Sequence, residues 1–200
     1  DQFERQSADF FGLLGFDSRS ETGVRLDEEV FQNTTFAIDP SYAHRKHIDE
    51  ITVDQCREKC RLFVKRYSPV AIAEMRRYGV PASILLAQSL LASDAGCDEQ
   101  VQSCNNFFLR TCDNSFCKRQ HIALGDDALD VFPNLWGSFR AQSLFFKNAE
   151  VFAYLIERHN HDPHTWAKAL DATGYSTDPL YGAKLRALVK SMSLEVFDQH

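Results

Sequence analysis

The stretch of residues 78–96, YGVPASILLAQSLLASDAG, constrains this chain more than any other part of it. Apolar side chains recur there at helical spacing and form a wide apolar face: Ile84, Leu85, Leu86, Leu90 and Leu91. Pro81 fits the first turn of a helix, because its missing N–H would have no partner there, and Gly96 is a natural stop. The stretch therefore predicts a buried helix on which the rest of the domain packs.

One polar side chain lies inside this apolar run. Gln88 stands one helical turn before Ala92, so the two residues share a face. A buried glutamine needs hydrogen-bond partners. Two interpretations follow, a core helix with one satisfied glutamine or a helix that lines a site.

The composition narrows the classes of protein. The chain has 200 residues, 44% hydrophobic and 25% charged, which indicates one globular domain with a substantial core. A formal net charge of −6 argues against a nucleic-acid binder, but it does not argue against a glycan ligand. No apolar run reaches the length of a membrane span. The chain opens at Asp1 on a polar segment, which fits a leader that was removed or not included.

Six cysteines occur in the sequence, an even number that favours disulfides in an oxidising compartment; buried thiols and a metal site are the alternatives. Cys56 and Cys60 lie one helical turn apart, so a bond between them would strain the helix. We expect instead a bond to another element or a local distortion there. The other four predict two local bonds that close short loops, Cys97–Cys104 and Cys112–Cys117.

The remaining segments give coarser predictions. Residues 1–47 form an N-terminal extension with a short helix near residues 3–16, an extended segment over 24–38 and a turn at Asp39-Pro40. A helix capped by Thr52 or Asp54 runs toward Tyr78 and is interrupted at Pro69. Residues 97–104 form a polar loop.

Residues 135–156 predict one long helix whose core face is formed by Trp136, Phe139, Leu144, Phe145 and Phe146. His159, His161 and His164 follow, but their spacing is not that of a metal-binding motif, so no metal site is expected.

The central stretch resembles the glucosaminidase family of glycoside hydrolases, the bacterial autolysins and flagellar enzymes that cut peptidoglycan. That family has a helix similar to PASILLAQALLESGAG, in which the Glu is the catalytic acid. Residues 81–88 match it in register. Ala92 then stands at the position of the Glu, and Asp94 at the position of a Gly. The resemblance therefore implies that the helix of the family is kept and that its catalytic glutamate is missing.

Two further motifs extend the resemblance to residues 68–194. Asn105, Asn106 and Phe108 match an Asn-Asn motif of the family, in which Phe107 replaces His or Leu. Residues 166–185 resemble WAxxLxxAGYATDPxYAxKL at almost every position. Tyr175 corresponds to the first of the two tyrosines in that motif.

The resemblance implies a mainly α, lysozyme-like fold with a small β-rich lobe and a groove between lobe and helices. The domain would span residues 48–194, followed by a tail over 195–200. The implied catalytic positions are Ala92, Asp126, Asp127 and Tyr175. Substrate-binding candidates are Gln88, Asn105, Asn106, Phe107, Phe108, Tyr175 and Asp178. No cofactor is implied. The implied partner is a peptidoglycan strand or a cell-envelope protein, in the periplasm, at the cell surface or secreted.

Ala92 cannot donate the proton that glycoside cleavage needs. Asp94 lies about 200° round the helix from Ala92 and should face away from Gln88, while Asp98 and Glu99 fall in the predicted loop. Two functions follow. The first is a glycan-binding or protein-docking module that no longer cleaves peptidoglycan, in which Phe107 narrows the groove. The second is an active endo-β-N-acetylglucosaminidase. The second requires that Ala92 is an engineered change or that another carboxylate supplies the acid.

Overall fold

The computed structural model describes residues 23–111, 121–124 and 127–199. Its helices are α1 (Thr35–Ile38), α2 (Tyr42–Lys46), α3 (Glu50–Tyr78), α4 (Ala82–Ala92), α5 (Glu99–Cys104), α6 (Leu135–Asn148), α7 (Glu150–Glu157), α8 (Pro163–Ala172), α9 (Tyr181–Ser191) and a final 3-10 helix (Leu194–Gln199). Strands β1 (His121–Leu124) and β2 (Asp127–Asp130) pair as an antiparallel hairpin, with His121 opposite Asp130. The predicted mainly α architecture is confirmed.

Helix α4 is the centre of the fold, as its sequence predicts. Every residue from 82 to 90 is buried, and α3, α9 and the 3-10 helix pack around it. Asp198 of the 3-10 helix caps its start, because the Asp198 carboxylate accepts bonds from the backbone N–H of Ser83 at 2.8 Å and from its hydroxyl at 2.6 Å. Residues 195–199, expected as a tail, therefore help to hold the central helix.

The bounds of α4 differ from the prediction. Pro81 precedes the helix as its N-cap rather than lying in its first turn. The helix ends at Ala92, because Asp94, Ala95 and Gly96 all have left-handed backbone angles. A helix cannot continue through such angles.

Helix α3 corrects the prediction of a break at Pro69. It is a single helix of 29 residues with Pro69 inside it. Val64, Val70 and Ala71 are buried on both sides of the proline, so packing against the core offsets the lost backbone hydrogen bond. Its N-cap is Asp49, not Thr52 or Asp54; the Asp49 carboxylate accepts a bond from the Thr52 N–H at 2.8 Å.

The predicted long helix over residues 135–156 is instead two helices, α6 and α7, separated by Ala149 in an extended conformation. The break lets Phe152 return onto Phe146, with ring centroids 4.8 Å apart. Trp136 and Leu144 do not belong to the core, since they are 47% and 39% exposed. Among the described residues, no helix is both long and apolar enough to cross a membrane.

The described part of the N-terminal segment packs on the helices. Val24 and Leu26 are buried, and the expected extended stretch over 24–38 ends in α1 instead. Asp39 accepts bonds from the Leu26 N–H at 2.9 Å and, as the predicted turn requires, from the Ser41 N–H at 3.0 Å. Arg45 pairs with Asp39 at 2.8 Å and donates to the Leu26 carbonyl at 2.8 Å. The helix expected near residues 3–16 lies outside the described residues.

The contacts of Asp39 with Arg45, Leu26 and Ser41 predict a pH-dependent contribution to stability. Burial opposes ionisation of Asp39, but hydrogen bonds from Arg45, Leu26 and Ser41 outweigh it and lower the pKa of Asp39. The folded pKa then lies below the unfolded value of about 3.9. The stabilisation is therefore complete above that value and is lost as the pH falls through the folded pKa.

We expect Asp39→Asn to lower the free energy of unfolding at pH 7 by about 1–3 kcal/mol, since it removes a charge-assisted pair from a buried site. Urea unfolding at pH 7 and pH 3 tests this, and the gap between variant and parent should shrink at pH 3. The control Asp27→Asn breaks the exposed Arg25–Asp27 pair and should change little. A gap that stays equal at both pH values would contradict the linkage.

Candidate active site

Two glutamines and two tyrosines meet at the face of α4 that carries Gln88. The Gln88 side-chain amide donates to the Tyr181 hydroxyl at 3.0 Å. The Gln142 amide donates to the Tyr175 hydroxyl at 2.9 Å and to the Gln88 side-chain oxygen at 3.3 Å. The prediction that the buried Gln88 finds partners is confirmed. These four residues are called the glutamine–tyrosine network below.

Aromatic packing and one cation complete the network. The rings of Tyr175 and Tyr181 stack with centroids 5.6 Å apart and an interplanar angle of 28°. Arg110 donates to the Gln142 side-chain oxygen at 2.9 Å, and its guanidinium lies 5.0 Å from the centroid of the Phe145 ring. Gln142 is thus held at both ends of its amide, which fixes its orientation.

The network offers neutral hydrogen-bonding groups rather than a titrating acid. Burial raises the pKa of Tyr175, partly opposed by the hydrogen bond from Gln142. Burial also raises the pKa of Tyr181 far above its ordinary value, and the neighbouring Tyr175 adds to this. Both hydroxyls therefore stay protonated around neutral pH.

Ala92 occupies the last turn of α4, one turn after Gln88, and its side chain is partly exposed. Asp94, two residues on, has a left-handed φ of 48°. Its carboxylate accepts bonds from the Asn33 backbone N–H at 2.6 Å and from the Asn33 side chain at 2.8 Å. Asp94 is thus engaged by the N-terminal segment and not by the network.

The other candidate carboxylates lie in different settings. Asp98 is the N-cap of α5 and accepts a bond from the Val101 N–H at 2.9 Å, so most of the loop predicted over residues 97–104 is helix instead. Glu99 is exposed in the first turn of the same helix. Asp127 opens β2 opposite Leu124. Asp126 lies outside the described residues.

Asn105 and Asn106, expected as substrate-binding residues, form hydrogen bonds to backbone groups of the protein. The buried Asn106 side chain donates to the carbonyl groups of Arg110 at 2.8 Å and Asp130 at 3.0 Å, and accepts from the Arg110 N–H at 2.9 Å. Asn105 donates to the Phe132 carbonyl at 3.1 Å. Both side chains therefore tie the segment leading to Arg110 to the end of the β-hairpin.

Phe107 and Phe108 lie in the core, which corrects the idea that Phe107 narrows a groove. Phe107 is 5% exposed, with ring centroids 5.4 Å from Tyr67 and 6.1 Å from Phe63. Phe108 is 6% exposed and packs edge-on against Phe139 at 4.9 Å. Neither ring has much surface to offer to a ligand.

Asp178 organises the turn before α9. Its carboxylate accepts a bond from the Leu180 N–H at 2.9 Å and pairs with Lys184 at 2.8 Å. Burial opposes ionisation, but these two partners outweigh it and lower the pKa of Asp178. The contacts give Asp178 a structural role at the start of the helix that carries Tyr181.

The predicted disulfide between Cys97 and Cys104 is wrong, because both are free thiols. Cys104 is buried in the last turn of α5, where its thiol donates to the Gln100 carbonyl at 3.0 Å, while Cys97 is exposed. Cys56 and Cys60 are also free and buried, so the expected bond to another element is absent too. Cys112 and Cys117 lie outside the described residues.

No group of three or more His, Cys, Asp or Glu side chains in the described ranges is placed to hold a metal ion. Sequence reasoning missed Gln142, Tyr181 and Arg110 as members of the site. Gln142 carried a usable signal, because it is a polar residue between Phe139 and Phe146 on the buried face of α6. Arg110 carried no such signal, since its position depends on the hydrogen bonds from the Asn106 side chain to the Arg110 backbone.

Comparison with known proteins shows to which family this chain belongs. The model of the glucosaminidase family, described as mannosyl-glycoprotein endo-beta-N-acetylglucosaminidase, matches residues 68–194. The chain belongs to the glucosaminidase family. Its matched region contains α4, the asparagine pair and all four residues of the glutamine–tyrosine network.

The glucosaminidase domain is 27% identical to the exo-glucosaminidase LytG of Bacillus subtilis, a match that covers 70% of this chain and 54% of LytG. The chain thus spans about half the length of this curated relative. The catalytic domain of the autolysin Auto from Listeria monocytogenes has the same fold, with a TM-score of 0.58 at 19% identity, over 70% of this chain and 88% of that one. A peptidoglycan hydrolase from Sphingomonas sp. A1 superposes with a TM-score of 0.56 at 23% identity, over 68% and 91%.

Proposed function

We propose that this glucosaminidase domain binds the glycan strand of peptidoglycan without cleaving it. The observation that carries the proposal is the intact glutamine–tyrosine network beside a helix end at which Ala92 supplies no carboxyl group. No described hydrogen bond links a carboxylate to the network. The described part of the site therefore keeps polar groups for a sugar, and Ala92 cannot supply the acid that would break a glycosidic bond.

The chemistry of cleavage supports the second half of this proposal. Hydrolysis of a glycoside needs an acid that protonates the leaving oxygen and a second carboxylate or equivalent group. Loss of a general acid costs about 10²–10⁴-fold in rate. Asp94 and Asp98 are held by Asn33 and by the start of α5, so neither is positioned as a replacement.

The chemistry of the network supports the first half. Sugar hydroxyl and acetamido groups both donate and accept hydrogen bonds, as tyrosine hydroxyls do. Gln88 and Gln142 are 2% and 0% exposed, so their part is to orient Tyr175 and Tyr181, which are partly exposed. Tyr175 adds a partly exposed aromatic ring of the kind on which a sugar ring packs. The relatives bear the names exo-glucosaminidase, autolysin and peptidoglycan hydrolase, which suggests the bacterial cell wall as ligand. The domain would then act in the periplasm, at the cell surface or after secretion.

Retention on purified, insoluble peptidoglycan tests the proposal. We expect the parent chain to sediment with the wall and Tyr175→Ala to weaken retention roughly tenfold, because it removes both the ring and the partner of Gln142. The matched control is Tyr154→Ala, which removes a tyrosine that is 54% exposed on α7. That control should bind as the parent does.

Two results would count against glycan binding. If the parent chain is not retained at all, a cell-envelope protein becomes the better candidate partner. If Tyr175→Ala and Tyr154→Ala weaken retention equally, binding does not involve the network. Circular dichroism of each variant guards against an effect that arises from unfolding.

A further inference from the structure

The outer face of helix α3 carries a line of positive charge. Lys59, Arg66 and Arg77 follow one another at intervals of seven and eleven residues, which places all three within about 20° of one line along the helix. All three side chains are exposed. At about 1.5 Å per residue, the line from Lys59 to Arg77 is about 27 Å long. These three residues are called the cation row below.

The charge of this face is opposite to that of the whole chain, which has 28 acidic residues against 22 lysines and arginines. Between Lys59 and Arg77, where the structure describes every residue, the one acidic residue is Glu74, and its side chain is buried. The preceding Glu58 pairs with Arg61 at 3.3 Å. The outer face of α3 is therefore a local concentration of positive charge on an acidic protein.

An apolar stripe runs beside the cation row. Ile51 and Leu62 are 72% and 55% exposed and lie close to one line, about 60–80° round the helix from Lys59. Lys65 and Arg76 are exposed on the other side of this stripe. Exposed apolar side chains between rows of cations are typical of helices that lie on a membrane surface, where lysines and arginines face the lipid headgroups.

Helix stability explains only part of the cation row. Cations in the last turn of a helix interact favourably with its dipole, and Arg77 lies there. Lys59 and Arg66 lie in the interior of α3, where that effect has faded. The Arg66 and Arg77 guanidinium groups lie 5.4 and 5.6 Å from the ring centroids of Tyr67 and Tyr78. These ring contacts hold the cations without neutralising their charge.

The cation row and the apolar stripe form a ridge and not a pocket. The buried residues of α3, among them Val53, Val64 and Ala71, lie on the opposite side of the helix and pack into the core. Small ligands are held in concave sites, whereas a convex helix face can lie flat on a bilayer. The shape and the charge of this face therefore favour an extended anionic surface as its partner.

We propose that α3 binds the surface of a bilayer that contains anionic phospholipids, with the cation row against the headgroups and Leu62 at the edge of the acyl region. The inference goes beyond the proposed function and does not depend on it, because neither the cation row nor the apolar stripe includes a residue of the glutamine–tyrosine network. The domain would then act next to a membrane, bound peripherally through one helix.

Sedimentation with lipid vesicles tests the proposal. We expect the parent chain to bind vesicles made of equal amounts of phosphatidylcholine and phosphatidylglycerol, and not to bind vesicles of phosphatidylcholine alone. Raising the salt concentration should release the protein from the anionic vesicles, because salt screens exposed charges. This arm requires no substitution, so it stands even where a variant does not fold.

Variants of the cation row give the size of the effect. Each cation near an anionic surface strengthens binding about fivefold, so Lys59→Gln, Arg66→Gln and Arg77→Gln combined should weaken binding to the anionic vesicles roughly 100-fold. Glutamine has a helix propensity close to that of lysine and arginine. The exchange variant Lys59→Arg, Arg66→Lys, Arg77→Lys keeps every charge and should bind as the parent does.

The matched control removes three exposed cations from other parts of the chain: Arg25→Gln, Lys46→Gln and Lys168→Gln. It lowers the net charge by the same amount as the cation-row variant and should bind the anionic vesicles as the parent does. Thermal unfolding of each variant shows whether a loss of binding comes from a loss of fold.

Leu62→Gln distinguishes a bilayer from a soluble polyanion. It should weaken binding to the anionic vesicles roughly fivefold, because the leucine loses its apolar contact with the acyl region. Binding of the same variant to long-chain inorganic polyphosphate should equal that of the parent. Equal binding of Leu62→Gln and the parent to the vesicles would overturn the placement of Leu62 at the acyl region.

Three results would overturn the membrane surface as partner. The parent could fail to bind the anionic vesicles, or the cation-row variant could bind them as well as its matched control does. Binding of the parent to polyphosphate but not to the vesicles would identify a soluble polyanion as the partner instead. None of these measurements uses peptidoglycan, so their failure leaves the retention test of the proposed function unaffected.

Discussion

Replacing Ala92 by glutamate is expected to raise the release of reducing ends from peptidoglycan by roughly 10²–10⁴-fold over the unchanged chain. Ala92 lies one turn after Gln88 on the last turn of α4, beside the intact glutamine–tyrosine network. A carboxyl group there would stand at the end of an apolar helix, where partial desolvation raises the pKa of a glutamate toward the range of a general acid. The unchanged chain should show no measurable cleavage.

The position of Phe107 favours recovery of activity. A phenylalanine that filled the groove would block the sugar even after the acid was restored, but Phe107 packs against Phe63 and Tyr67 in the core. The control is Ala92→Gln, which adds the same bulk without a proton to donate. Thermal unfolding of both variants should also be measured, because an unpaired buried carboxylate destabilises a fold.

The comparison of these two variants distinguishes two histories of the site. If Ala92→Glu gains activity and Ala92→Gln does not, the missing acid is the main defect. If both stay inactive, the loss extends to the second catalytic group as well, as in a long-established pseudoenzyme. Strong activity of the unchanged chain would overturn the proposed function and direct the search to Asp94, Asp98, Glu99, Asp126 and Asp127.

The sequence predicted the central helix and its polar residue because both are local properties. A run of apolar residues at helical spacing is expected to be buried, and a glutamine within it needs hydrogen-bond partners. The partners themselves were not predictable from spacing. Gln142 is 54 residues from Gln88 and Tyr181 is 93, so only the packing of α6 and α9 on α4 brings them together.

The wrong predictions share a cause, which is that tertiary packing outweighed the local preferences of the sequence. Pro69 favours a break, but buried residues on both sides of it keep α3 continuous. Ala149 is a good helix former, yet the chain is extended there so that Phe152 can reach Phe146. Cysteine spacing suggested a bond at Cys97 and Cys104, whereas α5 turns the Cys104 thiol inward toward the Gln100 carbonyl.

An ion pair that sequence reasoning did not find joins the scaffold to the site. Glu74 of α3 is fully buried, and Arg140 of α6 donates to its carboxylate from Nε at 2.9 and 3.0 Å and from Nη2 at 2.7 Å. The Arg140 guanidinium also lies 5.1 Å from the centroid of the Tyr78 ring. Because Gln142 lies two residues further along α6, this pair fixes the helix that orients the network.

We therefore expect Arg140→Met to lower the free energy of unfolding by about 3–5 kcal/mol, because it leaves the buried Glu74 carboxylate without its partner. Urea unfolding at pH 7 measures the loss. The double variant Glu74→Leu, Arg140→Met should recover much of it, since an apolar pair carries no buried charge. The control Arg25→Met, which breaks an ion pair whose side chains are 70% and 75% exposed, should cost less than about 1 kcal/mol. A single Arg140 variant as stable as that control, or a double variant less stable than the single one, would show that Glu74 does not depend on Arg140.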